Sequence, residues 1–163
     1  MKGNKKLVFL SLVAILVAFT LIAGVSAVRY AHIMPDKTTT VALGNAGVTY
    51  ANAYKEGTVK IIRRDDAGYH APFGYNHMEK LVELRFWDPE WVPQKYPAGS
   101  VLVFYNLTSR EQRLFNDGLF KIYFYDTWKG GWTVCPTYAL KGGARLACRF
   151  HAYGVFGLMA KTR

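Results

Sequence analysis

The chain lacks the residue patterns on which common catalytic and cofactor sites are built. No Walker loop, dinucleotide-binding glycine fingerprint or Gly-x-Ser-x-Gly elbow occurs in its 163 residues, which removes the usual phosphate-cradling and nucleophile-elbow routes to an enzyme. Cysteine is scarce: Cys135 and Cys148 are the only two. Neither is followed by a second cysteine and a histidine, so covalent haem attachment is excluded. Nor do two cysteines and four separated histidines give the spacing of a zinc site. No cofactor is expected. Blocks of five or six like charges are missing too, so nothing resembles a nucleic-acid-binding arm, and nucleic acid is not an expected partner. Beyond residue 27 no segment sustains a helical period, and the chain has no internal repeat or low-complexity tract.

What is present begins with an uncharged run. It starts at Leu7, ends at Ala27 and lies between Lys6 and Arg29, with Lys2, Lys5 and Lys6 before it. Roughly 20 apolar residues can cross a bilayer as a helix, and the basic start then stays in the cytoplasm. The same run reads as a secretory signal, because Val25, Ser26 and Ala27 fit a cleavage site, although it exceeds the usual apolar centre of about 7–15 residues. Signal anchor and cleaved signal peptide both stand for residues 1–27. Both put residues 28–163 outside the cytoplasm, either plasma-membrane-anchored as an extracellular or periplasmic domain or secreted.

The exported part is long enough for one domain with a real core. Three of the 21 Lys and Arg precede the apolar run, leaving 18 against 11 Asp and Glu, an excess of about +7. Such a balance suits an anionic surface polymer or headgroup layer; it also serves simply to keep an aromatic-rich domain soluble. Of the four Trp, eleven Tyr and ten Phe, only Phe9 and Phe19 fall in the apolar run. Large rings suit sheet faces.

Alternation supports that. Val82, Leu84 and Phe86 fall on one face of a strand, with Glu83 and Arg85 on the other. Phe120, Ile122 and Phe124 point inward from a second strand, leaving Lys121, Tyr123 and Tyr125 outward. Residues 100–105 form a continuous apolar strand, and 132–140 with 144–151 read as a hairpin about 141–143. Residues 88–97 carry three prolines and cannot be an interior strand; 109–114 suit a short helical turn. Residues 28–40, with Pro35 and a polar run, read as a connector. The expected fold is all-β: an antiparallel β-sandwich of about eight strands over 41–163, preceded by one hydrophobic transmembrane or signal helix.

In the expected hairpin Cys135 and Cys148 face one another. Directly opposed residues are near enough to close a disulfide, and an exported compartment permits it; two buried free thiols are the alternative. From Phe86 onward, the strands at 101–105, 122–125, 131–134 and 146–150 and the ending Tyr153-Gly154-Val155-Phe156-Gly157-Leu158 resemble short bacterial cell-surface β-sandwich modules. Those in turn are similar to the sandwich domain of ankyrins and netrin receptors. The resemblance implies a non-catalytic module for adhesion, docking or assembly and supplies no active-site residues.

For contacts, Trp87, Trp91, Trp128 and Trp132 cluster around two loops. Exposed, they would stack on sugars or dip into headgroups; buried, they anchor loops and core. With Arg85, Lys121, Tyr123 and Tyr125 they make the candidate binding surface. His70 and His77 share a loop with Asp65, Asp66 and Glu79 nearby, and Asp88 and Glu90 flank Pro89; neither set matches a ligand or catalytic template. The expected partners are other membrane or cell-surface proteins, within a larger assembly, and the membrane through the N-terminal helix. The function expected is a non-enzymatic accessory or interaction module at the outer face of a membrane. The alternative is a binding module for an anionic polymer or carbohydrate.

Overall fold

The computed structural model describes residues 28–64, 68–94, 96, 99–116, 118–127, 129–150 and 152–162. The apolar segment 7–27, and with it the expected N-terminal helix, lies outside the described residues. No helix among the described residues is long and apolar enough to cross a membrane.

Two antiparallel sheets account for most of the chain. The first has the order β1 (Val28–Ile33), β4 (Gly57–Arg64), β5 (Tyr75–Trp87), β12 (Val155–Lys161), β8 (Phe120–Asp126), β9 (Gly131–Cys135), with the two-residue β6 (Pro93–Gln94) beside the end of β5. The second runs β10 (Thr137–Leu140), β11 (Arg145–Phe150), β7 (Ser100–Asn106), β3 (Ala46–Ala51), β2 (Thr39–Leu43). A helix, α1 (Ser109–Asn116), joins β7 to β8. Thr108 and Glu111 open it reciprocally: the Glu111 carboxylate accepts the Thr108 N–H at 2.7 Å, and the Thr108 hydroxyl accepts the Glu111 N–H at 3.3 Å.

The sheets pack face to face on the residues that alternation assigns to the interior. Val59, Ile61, Val82, Leu84, Phe86, Ile122, Phe156 and Leu158 of the first sheet meet Val48, Tyr50, Val101, Val103, Tyr105, Leu146 and Phe150 of the second in one buried cluster. Each such side chain contributes roughly 1.5–3 kcal/mol by leaving water. Rings run through this core in a column. Tyr50 stacks on Phe86 at 6.2 Å, Phe86 on Tyr153 at 5.7 Å, and Phe150 meets Tyr153, Phe156 and Phe124. The Tyr50 hydroxyl donates to that of Tyr153 at 2.8 Å. Burial, then the neighbouring phenol, pushes the Tyr50 pKa well up.

Tyr105 is different. Its hydroxyl is fully buried and has no hydrogen-bond partner among the described residues, a desolvation cost with no return. Tyr105→Phe is therefore expected to raise stability by about 1 kcal/mol, read by chemical denaturation. A clear loss of stability would show that the hydroxyl is bonded in solution.

Four expectations need correction. The described residues form twelve strands, one of them only two residues long, not about eight. The expected connector 28–40 is not one: Val28–Ile33 is edge strand β1, paired from Val28 opposite Ile62 to Ile33 opposite Gly57, and β2 begins at Thr39. Being an edge strand, β1 buries only Ile33 fully, so its sequence shows no alternation. His70 and His77 do not share a loop, since β5 begins at Tyr75 and takes in His77. Finally, 132–140 is not one arm of a hairpin. Pro136, with no N–H to give to a ladder, separates β9 in the first sheet from β10 in the second.

The disulfide exists nonetheless. Cys135 and Cys148 are bonded, with their Cα atoms 5.9 Å apart. In the β10–β11 ladder it is Thr137, not Cys135, that stands opposite Cys148. The bond ties β9 of one sheet to β11 of the other across the sandwich.

The registers also fix the two ends of the body. At the lower end lie Tyr75, Lys161 and Asn106, with α1 and the 3-10 turn Lys141–Gly143; Val28 stands higher, in the row of Ile62, Glu83 and Val155. At the upper end lie the loops after β1, β3 and β5.

Candidate functional site

The outer face of the first sheet carries most of the candidate residues. Cross-strand pairing sets Glu83, Val155, Tyr125 and Trp132 in one row, and Leu81, Gly157, Tyr123 and Val134 in the next. Lys121 sits opposite Met159, and Arg85 opposite Lys60. Alternation set Arg85 outward on one strand and Lys121, Tyr123 and Tyr125 outward on another; the pairing brings these onto one face with Trp132.

Half of that face is not free. The chain between β4 and β5 folds back as a strap. Tyr69 meets Tyr125 edge-on at 5.2 Å, and Tyr75 meets Tyr123 at 5.1 Å. The Trp132 indole N–H donates to the His70 carbonyl at 2.6 Å, and the His77 ring bonds the Tyr69 carbonyl. Trp132 lies over Gly157, where an added Cβ would meet Leu81, Met159 and the indole. Beneath this cover Leu81, Val155 and Met159 are buried although they point away from the main core. Tyr123 is therefore corrected from contact residue to packing residue. Burial, then its hydrogen bond with Tyr75, pushes its pKa up to about 12. Trp132 and Tyr125 are half-buried in the same cover. His77 packs on Trp132 at 5.6 Å. Asp65, Asp66 and the Glu79 side chain lie outside the described residues, as does Trp128. No group of three or more His, Cys, Asp or Glu that could hold a metal occurs among the described residues.

The uncovered part of the face is charged. Glu83, nearly buried, is paired with both Arg64 and Arg85. Beside this triad runs a groove of about 380 Å³ lined by Tyr69, Arg85, Trp87, Gln94, Thr127 and Tyr153, among others. Aromatic walls with a few convergent polar groups are the makings of a small-ligand or sugar site.

The groove leads to the loop that holds Trp91. Asp88, only 6% exposed, braces it. Its carboxylate accepts the Val92 N–H at 2.8 Å, the Gln94 amide at 2.9 Å and the Lys55 ammonium at 3.3 Å, and its carbonyl accepts the Trp91 N–H at 2.9 Å. Burial alone would raise the Asp88 carboxyl, but the bonds from Val92, Lys55 and Glu90 outweigh it and hold the pKa below the ordinary aspartate value. Asp88 thus braces the loop, and Glu90 is exposed to solvent. Trp91 itself has φ +61°, left-handed backbone that costs a bulky residue roughly 1–2 kcal/mol, and its ring is 67% exposed.

Around it stand residues that alternation could not single out. Tyr54 is 76% exposed and Tyr96 63%, with Val92 and Met34 also exposed. They come from separate loops drawn together at the upper end. The Asp36 N–H reaches the Ala53 carbonyl at 3.2 Å, Lys55 pairs with Asp88, and Gly99 lies directly on Ala53. Of this cluster the sequence had singled out Trp91. No known family model, curated protein or solved structure matches this chain.

Proposed function

We propose that this chain is a non-enzymatic, exported β-sandwich that docks on another protein at the outer face of a membrane, as an accessory or assembly component, held there by residues 7–27. The presentation of Trp91 carries the reading. A large ring is held out in strained backbone by a buried carboxylate, at the end that also carries exposed Tyr54 and Tyr96, and exposed apolar surface of this kind marks interaction sites. The disulfide is compatible with an extracellular or periplasmic setting. The likeness of the strands after Phe86 to bacterial cell-surface sandwich modules points the same way.

Extraction of the full chain from its membrane in mild detergent is expected to bring a partner in fixed stoichiometry. Trp91→Ser should weaken that recovery at least about tenfold, as losing a central tryptophan does, without moving the thermal midpoint. Recovery of the chain alone, or equal recovery of the variant, would sink the reading.

The groove beside Glu83 favours a second reading, a module for an anionic polymer or carbohydrate. It requires salt-sensitive retention on surface polymer or glycan that Arg85→Ala or Trp87→Ala abolishes.

A further inference from the structure

Three carboxylates are buried among the described residues: Glu83, Asp88 and Glu111. Glu111 closes the cap of α1. Glu83 and Asp88 share a different feature. Each holds the side chain of a residue that lines the groove of about 380 Å³ beside β5. A buried ion pair adds little to stability, because desolvating the charges offsets their attraction. What it does supply is a fixed position for the partner.

Glu83 fixes Arg85. The guanidinium bonds the Glu83 Oε1 through Nε, and Arg64 takes the other oxygen. Glu83 is the one ion-pair partner of Arg85 among the described residues, and 51% of the Arg85 side chain stays exposed. Bonding through Nε leaves the two terminal nitrogens for a ligand. Such a fork matches the two oxygens of a carboxylate.

Asp88 fixes Gln94. The Gln94 amide nitrogen donates to the Asp88 carboxylate at 2.9 Å and to the Val92 carbonyl at 3.1 Å. Both amide hydrogens are thereby used, and the amide oxygen remains as an acceptor. Gln94 stands opposite Phe86, at the level between Arg85 and Trp87.

Trp87 supplies the ring. It leaves the same face of β5 as Arg85, two residues further on, about 6.6–6.8 Å along the strand. It is half-buried and lines the groove. A single sugar ring reaches both residues, its apolar face on the indole and a carboxylate on its rim against the fork. The groove is open to solvent rather than enclosed, which admits a unit within a polymer. Trp91 is not one of its walls, so the site is separate from the exposed docking ring.

We propose that the groove binds a uronate unit of a surface polysaccharide, with the sugar ring on Trp87, its carboxylate on Arg85 and a hydroxyl donating to the Gln94 Oε1. This rests on the groove being a site for an anionic polymer or carbohydrate, and it names the unit recognised.

The test titrates the full chain in detergent, by calorimetry, with oligomers of glucuronate, galacturonate and mannuronate, each as free acid and as methyl ester, and with poly-glutamate. At least one free acid is expected to bind, and its ester at least about tenfold more weakly, the scale of one hydrogen bond to a charged group. Arg85→Lys keeps the charge and loses the fork; it should weaken the acid by the same factor and leave the ester unchanged. Trp87→Ala should abolish binding of both, whereas Trp87→Phe, which keeps a ring, should retain it. The thermal midpoint of each variant checks that it is folded. Equal binding of acid and ester, lost in Trp87→Ala, would overturn the carboxylate contact and leave a carbohydrate site. An acid whose binding Arg85→Lys leaves unchanged would overturn the place given to its carboxylate. Poly-glutamate bound as tightly as the best uronate would overturn the sugar and leave a polyanion site. Binding of no probe would overturn the groove reading as well.

Discussion

Phe86→Ala is expected to destabilise the domain by about 4 kcal/mol, the usual cost of truncating a wholly buried phenylalanine. Folding stabilities are about 5–15 kcal/mol, so a loss of this size removes a large share and should lower the midpoint of thermal unfolding by roughly 15 °C. The expectation comes from where the ring lies. Phe86 belongs to the first sheet, stacks on Tyr50 of the second and is nearly parallel to Tyr153 at 5°. Its edge fills the space that a Cβ at Gly57 would need. Nothing small is positioned to slide in. Its removal also leaves the Tyr50–Tyr153 hydrogen bond supported from one side fewer. Phe86→Leu, keeping most of the volume, should cost clearly less. Calorimetry or urea titration decides the matter. A loss below about 1.5 kcal/mol, well under the range for such truncations, would mean that the ring column is not what joins the two sheets.

Reducing the disulfide should cost about 3 kcal/mol, the scale for a bond closing a short loop; here the cysteines are 13 residues apart. The effect should be uneven. Among the described residues β9 is an edge strand laddered only with β8, so the bond to β11 is its other main attachment. β9 also carries Trp132, which holds the strap through His70. Hydrogen exchange after reduction should therefore quicken first in β9 and in residues 68–74, while β4, β5 and β12 keep their protection. Cys135→Ala with Cys148→Ala should behave like the reduced protein. Uniform acceleration would show that the bond acts only on the unfolded chain. Recovery of both cysteines as free thiols from the native compartment would remove its bearing on where the protein lives.

Much of the sandwich was legible because its strands have one wet and one dry side. Val82, Leu84 and Phe86, and again Phe120 and Ile122, repeat every second residue since the sheet pleat does. The cysteine pairing was legible as a pairing, but not as a geometry. A hairpin reading treats 132–140 as continuous, and Pro136 ends one strand while the chain passes to the other sheet. β1 was hidden because an edge strand needs no buried face along its length. The strap was hidden for another reason: alternation predicts which side a ring leaves the sheet on, not whether a distant loop returns to cover it. Tyr123 and Trp132 obey the pattern and are still packed. The Trp91 cluster depends on three loops meeting, and no local period encodes such a meeting. What remained readable there was Trp91 itself, one of four tryptophans flanking two loops.

The start of β1 at Val28 also bears on how the polypeptide can be shortened. A cut between Ala27 and Val28 leaves the sheet whole. A version beginning at Val41, where composition alone would place the domain boundary, loses all of β1 and the first two residues of β2. It would bare the ladder groups of β4 along a row that includes Val59 and Ile61. An unpaired edge of that kind recruits a strand from any neighbouring molecule, so the trimmed product would be prone to strand exchange and fibrous association.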